Sequence, residues 1–391
     1  MRYPRAPSAV VVICIFFSVF FLIAKASWLS KEAAQEIVSE FEEKEKKRGE
    51  HGRGVDRRDA YPFISGDGFR EHCSPHICED SNRCRFDPSA VKDGDCVFVK
   101  TDLFEMFMLN VAASIKGKYV LVSHNGDLSA PDGQTDAPRI GMPRYEALPL
   151  LQKAYDSGKL LAHHGQNTWW RNYSSAGPTS KPSFVHCLPI GFENRQYKIG
   201  KDPAAYARFL KKNIIDPPVR SMEELSKRPL LLIAFYPKSR VPDRHKVLHT
   251  LKAIPPPAAG STWYNLTDLD HSEWLQGIHD HRFVLAPFGH GLDTHRISEI
   301  LLMGGIPVMR KSSISSCYDD TDNVMESGGG GTGGGTAPRG SIPGVFLDKW
   351  EDLTKERLEQ EWEKYKAFPQ SHWDYRRLTI KHWLERVKKL L

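Results

Sequence analysis

"FVLAPFGHGLDTHRISEILLMGGIPVM" occupies residues Phe283–Met309. The apolar run Phe283–Ala286 predicts a buried strand, stopped by Pro287. Gly289 and Gly291 predict a sharp turn whose backbone can approach a ligand with no Cβ in the way. From Thr294 to Met303, the residues Ile297, Ile300 and Leu301 recur at three- and four-residue spacing, which predicts a helix with one buried face. Ile306–Met309 predicts a second strand. Strand, turn, helix and strand in that order make the repeating unit of a parallel α/β sheet.

The same bend carries chemistry. Backbone N–H groups at a helix start favour an anion, and the macrodipole adds to that preference. Arg296 adds a forked, permanently charged donor suited to phosphate oxygens. Glu299, one turn further on, can accept hydrogen bonds from sugar hydroxyls. These residues predict a nucleotide-diphosphate site. A plainer reading stands beside it: Arg296 and Glu299 pair on the helix surface, for about 0.2–0.5 kcal/mol, and Asp293 is simply an N-cap, a place from which it would repel phosphate.

Outward from the bend, strands and helices alternate along the chain. Val97–Val99, Tyr119–Ser123, Leu160–Ala162 and Val185–Ile190 predict strands, with helices at Asp102–Ser114, Tyr145–Ser157 and Pro203–Asn213. A second series runs from strand Leu230–Phe235 through helices Asp243–Lys252 and His271–His279 to the opening stretch, then strand Gly344–Leu347. Helices near Lys355–Lys366 and Tyr375–Leu390 close the chain. The loop Asp216–Arg228 (DPPVRSMEELSKR) divides the two series. The expected architecture is two α/β domains facing a cleft, residues 61–220 and 221–391.

At 391 residues with 40% hydrophobic and 26% charged content, the composition is globular. The net charge of +6 is concentrated near the termini, in Arg2, Arg5 and the run Lys44–Arg48. No basic stripe on a folded segment marks a nucleic-acid partner. Ala9–Ala24 (AVVVICIFFSVFFLIA) is uncharged and preceded by Arg2 and Arg5. Sixteen residues rise about 24 Å, slightly short of a ~30 Å hydrocarbon core, with Trp28 and Leu29 extending the span or sitting at the interface. The positive-inside rule places the remainder in the lumen of the secretory pathway. A cleaved signal peptide is the alternative, since Ala24-Lys25-Ala26 resembles a cleavage site. Residues 1–29 are thus read as cytosolic tail and signal-anchor helix, and 30–60 as a charged stem, its first half an exposed helix. The second half has too little apolar surface to fold.

Two sequons, at Asn172 and Asn265, agree with a luminal body. So do six cysteines beyond Cys14, whose even number predicts disulfides of undetermined connectivity; a zinc site from Cys73, Cys78, Cys84 and Cys96 lacks the usual close pairs. Ser327–Gly340 formally contains G-x-G-x-x-G, but no strand precedes it and no helix propagates through so many glycines. It is read as an insertion. Asp268-Leu-Asp270 and Asp320-Thr-Asp322 match the letters of a divalent-cation motif without supporting context, so no metal and no cofactor is expected. After strand Tyr119–Ser123, the segment SHNGD offers Asp127, then His124, as general base, with Glu193 third. A hydrogen-bonded turn is the alternative there. Asn125 and Asn167 are candidate cleft-lining residues.

The stretch GHGLDTHRISEILLMGGIPVM resembles the nucleotide-sugar-binding segment of exostosin-like glycosyltransferases, including the ribitol xylosyltransferase-like branch. Their pattern there is approximately G-x-G-x-D-T-x-R-x-x-E-x-L-x-x-G-x-I-P-V. FVKTD (98–102), YVLVSHNGD (119–127), LPIGFENR (188–195), FYPKSRVPDR (235–244) and VFLDKW (345–350) resemble further family blocks in order, covering about residues 97–390. Ser298 departs from the family's usual aromatic, and the glycine-rich insertion is unusual. The resemblance implies a GT-B architecture, acceptor contacts from the first domain and donor contacts from the second. It further implies an inverting, metal-independent transfer from a UDP-linked sugar to a glycan or glycoprotein in the Golgi or endoplasmic reticulum. On that basis Arg244 and Arg296 are assigned to the diphosphate, Glu299 to the ribose, and Gly289, Gly291, Asp293 and His295 to the donor pocket. A catalytically inactive glycan-binding or partner-assisting homologue is the alternative. Donor sugar, acceptor and oligomeric state are not encoded in these motifs.

Overall fold

A computed structural model of the chain describes residues 28–49, 60–80, 84–133, 145–170, 182–197, 202–216, 226–235, 241–253, 263–319, 342–368 and 372–389. The apolar span Ala9–Ala24, the sequon at Asn172, the glycine-rich insertion and Asp320-Thr-Asp322 lie outside these residues. Among the described residues, no helix is long and apolar enough to cross a membrane.

The strands are β1 (Ile77–Cys78), β2 (Asp95–Lys100), β3 (Tyr119–His124), β4 (Ala130–Pro131), β5 (Leu160–Gly165), β6 (Thr168–Trp169), β7 (Val185–Cys187), β8 (Leu231–Ile233), β9 (Tyr264–Leu266), β10 (Phe283–Leu285), β11 (Ile306–Arg310) and β12 (Val345–Leu347). The helices that matter below are α1 (Lys31–Gly49), α2 (Gly66–His72), α3 (Phe104–Asn110), α4 (Leu148–Asp156), α5 (Ala204–Leu210), α6 (Pro242–Ala253), α7 (His271–Asp280), α8 (His295–Leu302), α9 (Lys355–Ala367) and α10 (Ile380–Lys388). Two five-stranded sheets result, ordered β1-β2-β3-β5-β7 and β12-β11-β10-β8-β9. Every pairing in both is parallel. Strands β4 and β6 form a separate two-stranded parallel sheet, so the described residues make a mixed α/β protein built on parallel sheets. Strands such as β3 and β10 are buried along their whole length, as a parallel sheet covered on both faces requires. The short strands β1 and β9 carry no apolar run in the sequence.

Three expectations are corrected. The stem is not an exposed helix: Ala33, Ala34, Ile37, Val38 and Phe41 of α1 are buried in one cluster with Tyr206, Leu210 and Ile215. Glu45 pairs with Arg195 at 3.3 Å, and Glu42 pairs with Lys211. Charge dominates the composition of α1, but a narrow apolar stripe at helical spacing suffices to dock it. Trp28 and Leu29 belong to the same buried cluster, so they neither extend a span nor sit at an interface. Finally, Tyr375–Leu390 is not one helix. It is a 3₁₀ turn, an extended Thr379 paired with Phe63, and then α10. Ile380, Trp383 and Val387 of α10 pack with Phe69, Phe98 and Val122, so this closing helix, grouped with the second domain by position, completes the first core.

The predicted disulfides exist, as Cys73–Cys96, Cys78–Cys84 and Cys187–Cys317. The four early cysteines pair with one another, leaving no thiolates there for zinc. The third bridge spans 130 residues and ties the end of β7 to the second unit. One buried cluster also runs across both units, from Phe63 and Tyr206 to Trp274 and Ile300. The units are joined by packed core as well as by this bridge.

Candidate functional site

Because all strands within each sheet are parallel, the loops after them gather at one edge, where ligand sites of such sheets form. From the first sheet come the loops after β3, β5 and β7; from the second comes the bend after β10. These edges touch.

Asn167, fully buried and with φ of 50°, joins them. Its Oδ1 accepts the Asp293 backbone N–H at 2.8 Å, and its Nδ2 donates to the Asp127 carbonyl at 3.3 Å. A Cβ on Gly291 would lie 2.2 Å from Asn167 Nδ2. The close approach that demands glycine here is to Asn167 of the other unit. Gly289 is less confined, its added Cβ meeting Thr294 Cγ2 at 3.0 Å.

Asp293 points into the same junction. Its carboxylate accepts from Ile190 N–H of the first unit at 2.8 Å, from Thr294 N–H at 2.7 Å and from the Tyr318 hydroxyl at 2.7 and 2.9 Å. Burial raises its pKa to about 6, against the pull of those donors. The anion at the start of α8 is thus an internal carboxylate. His295 donates from Nδ1 to Gly191 O at 2.9 Å, a further bond between units.

Glu299 is buried and occupied. Oε2 accepts Trp274 Nε1–H at 2.7 Å, while Oε1 accepts the Tyr206 hydroxyl at 2.9 Å and faces His271 Nε2 at 3.3 Å. Burial works to raise its pKa, but His271, Trp274 and Tyr206 together hold it below the ordinary value. Arg296 does not pair with Glu299 on a surface, as the plainer reading had it. Its guanidinium donates to the Ala234 carbonyl and lies 4.6 Å over the Trp274 ring. Burial, then the neighbouring Arg244, push its pKa down to about 10, while Glu299 works in the opposite direction. Arg244 lies 5.9 Å from the Phe235 ring, and its buried Nε has no hydrogen-bond partner among the described residues. The carboxylate beside it, Asp243, is held by Phe288 N–H, Trp350 Nε1–H and Arg310 Nε–H.

On the first-sheet side, a polar cavity of about 490 Å³ is lined by Lys100, Asp102, Asp127, Glu193 and Tyr197, with His295 from the second unit. His124 and Asn125 border it from below. Nε2 of His124 donates to Pro189 O at 3.2 Å and Nδ1 accepts Asn125 N–H at 2.9 Å. Burial drops its pKa to about 4. Both nitrogens are engaged, so His124 is a poor base. Asn125, with φ of 61°, bonds to Asp67 at 3.2 Å and Asn194 at 2.9 Å, while Gln166 braces the loop at Asn125 N and Gly126 O. Asp67 and Gln166 carry no signal in the sequence. Glu193-Asn194-Arg195, by contrast, reads alternatively as a structural network, and Asn194 and Arg195 do make such contacts, with Asn125 and Asp67 and with Glu45.

A larger hollow of about 1170 Å³ opens between α5, α7 and β9. None of the bend residues lines it, although His271, which faces Glu299, does. Asn265 is exposed on edge strand β9, where its amide donates to His281 Nε2 at 2.8 Å. Asp270 of the cation-like tripeptide is the N-cap of α7, in a capping box with Glu273. No protein-family model matches the chain, and no curated protein matches it.

Proposed function

We propose that the chain is a glycosyltransferase of GT-B type that moves a sugar from a UDP-linked donor to a glycan or glycoprotein acceptor. The observation that carries the reading is the pair of half-buried guanidinium groups, Arg244 and Arg296, whose neighbourhood adds to burial in depressing Arg296, with Arg244 Nε lacking a hydrogen-bond partner among the described residues. Neighbouring like charges with few bonds to carboxylates are favourable where an anion shares the site. The nearby acids do not fill that need, since Asp243 and Glu299 are taken by other donors. Arginine forks suit a diphosphate, and the resemblance of the bend to nucleotide-sugar segments points the same way. Three disulfides suit the oxidising lumen, with a type II signal anchor as the membrane attachment.

In this reading the acceptor hydroxyl attacks the anomeric carbon from the cavity side. The bond to the β-phosphate oxygen breaks, and Arg244 and Arg296 offset the charge that develops on the leaving diphosphate. Glu299 serves the site indirectly, by fixing Trp274 beneath the Arg296 guanidinium. The proton acceptor belongs to the Asp127 edge of the cavity, because His124 is held neutral.

A second reading, the inactive glycan-binding homologue, draws on the bend: its helix start is occupied by Asp293 and its glycine by Asn167. Thermal denaturation with UDP and UDP-sugars separates the two. At a hundredfold excess over Kd, a ligand stabilises by about 2.7 kcal/mol, a rise of roughly 5–10 °C for a domain of this size. We expect that rise with UDP and its loss in Arg244→Gln. No rise with any nucleotide, together with glycan binding, favours the second reading.

A further inference from the structure

Asp127, in the wall of the cavity, is approached by a side chain of the other unit. His290 sits at the tip of the bend between Gly289 and Gly291, and its Nδ1 lies 3.8 Å from Oδ2 of Asp127, with the side chains 46% and 49% exposed. We infer that His290 and Asp127 form a catalytic dyad across the two units, His290 Nε2 taking the acceptor hydroxyl's proton while Asp127 holds the opposite ring nitrogen. The inference rests on the transferase reading above.

The backbone beneath the pair is fixed although the side chains are open to solvent. Asn167 binds the Asp127 carbonyl at 3.3 Å and the Asp293 N–H at 2.8 Å. Gly291 packs so closely that an added Cβ would lie 2.9 Å from the Asp127 carbonyl. Gly289 N–H donates to Gly291 O at 3.1 Å, which sets the tip. An exposed ion pair alone is worth under about 1 kcal/mol and requires none of this support. A spacing of 3.8 Å is longer than a hydrogen bond, but catalytic hydrogen bonds are often long without substrate and tighten on binding.

The neighbouring histidines and Asp293 are engaged elsewhere. His124 is engaged at both nitrogens, and His295 is turned onto Gly191 O. Asp293, on the same loop as His290, has its carboxylate directed inward to Ile190, Thr294 and Tyr318. The carboxylate that faces His290 is Asp127, and Glu193 in the cavity wall is the rival base. In the step itself, the acceptor oxygen bonds to the anomeric carbon. The carbon–oxygen bond to the β-phosphate breaks, and its electron pair leaves with UDP. The hydroxyl proton moves to Nε2, the Asp127 carboxylate offsets the imidazolium charge, and water later removes that proton.

The test uses the full-length chain, with UDP release measured from UDP-xylose, UDP-glucose, UDP-galactose, UDP-N-acetylglucosamine and UDP-glucuronate in the presence of aryl-glycoside acceptors. In His290→Gln, kcat should fall at least ~100-fold, with the donor KM and the UDP-induced rise in melting temperature unchanged. In Asp127→Asn, a smaller fall in kcat should come with the donor KM unchanged, and Asp127→Glu should restore part of the lost rate, which a merely structural role would not predict. A His290→Gln enzyme within threefold of wild type overturns the dyad, as does an Asp127→Asn loss larger than that of His290→Gln. Wild type that neither releases UDP nor is stabilised by it sinks the transferase reading first, and the dyad with it.

Discussion

Glu299→Ala should unfold the protein more easily rather than merely weaken a ligand. The residue is 6% exposed, and its carboxylate receives Trp274 Nε1–H at 2.7 Å and the Tyr206 hydroxyl at 2.9 Å. Each such bond to a charged acceptor is worth about 1.5–3 kcal/mol, and stranding its buried donor forfeits that and more. Relief of the buried charge returns part of it. A net loss of about 3–5 kcal/mol follows, in line with removing one member of a buried charged network. At about 2–4 °C per kcal/mol, the lower end corresponds to a fall of roughly 6–12 °C. Tyr206→Phe should lose about 1–2 kcal/mol, and the double variant should show coupling of about 1 kcal/mol or more between residues in contact. Urea denaturation followed by circular dichroism measures all three. The Glu299 pKa lies below its ordinary 4.5, so the stability gained by ionising it is present above that pH. It is lost as the pH falls through the lower folded value. The gap between wild type and Glu299→Gln should therefore narrow as the pH falls below 4.5. Were Glu299→Ala to unfold within 1 kcal/mol of wild type while losing its response to UDP, Glu299 would be a ligand residue and this account of it would be wrong.

Asp293 carries the opposite sign. Its folded pKa is about 6 against an ordinary 3.8, so stability falls as pH rises from about 4 to 6, by on the order of 3 kcal/mol at most. Asp293→Asn should remove that dependence, read from urea midpoints at pH 4.5 and 7; parallel curves for variant and wild type speak against it. Gly291→Ala forces a Cβ to 2.2 Å from Asn167 Nδ2 and should destabilise by about 1–3 kcal/mol, clearly more than Gly289→Ala; equal melting temperatures contradict the packing argument. Replacing Cys187 and Cys317 by serine opens a loop of 130 residues. The chain-entropy model then gives a loss of about 5 kcal/mol, and calorimetry showing no change would mean that the packed core holds the units alone.

The sequence by itself determined which segments become strands and helices, because those depend on apolar residues recurring at periods set by local backbone geometry. The runs Tyr119–Ser123 and Phe283–Ala286 could hardly be anything but buried strands, and their alternation with helices dictated parallel sheets. An even cysteine count likewise announced disulfides without saying which sulfurs meet. Tertiary structure alone decided the partners. Arg296 and Glu299, three residues apart on one helix, suggested a pair, yet Trp274 and Tyr206 claim the carboxylate and the Ala234 carbonyl claims the guanidinium. The two glycines of the bend looked made for a phosphate, and one of them makes room for Asn167. Helix α1 read as a solvated stem until its five-residue apolar stripe met Tyr206 and Leu210. Each of these contacts joins residues far apart in the chain. They depend on how two separately patterned sheets settle against each other, and that docking is fixed by the summed packing of many side chains rather than by any short stretch of sequence.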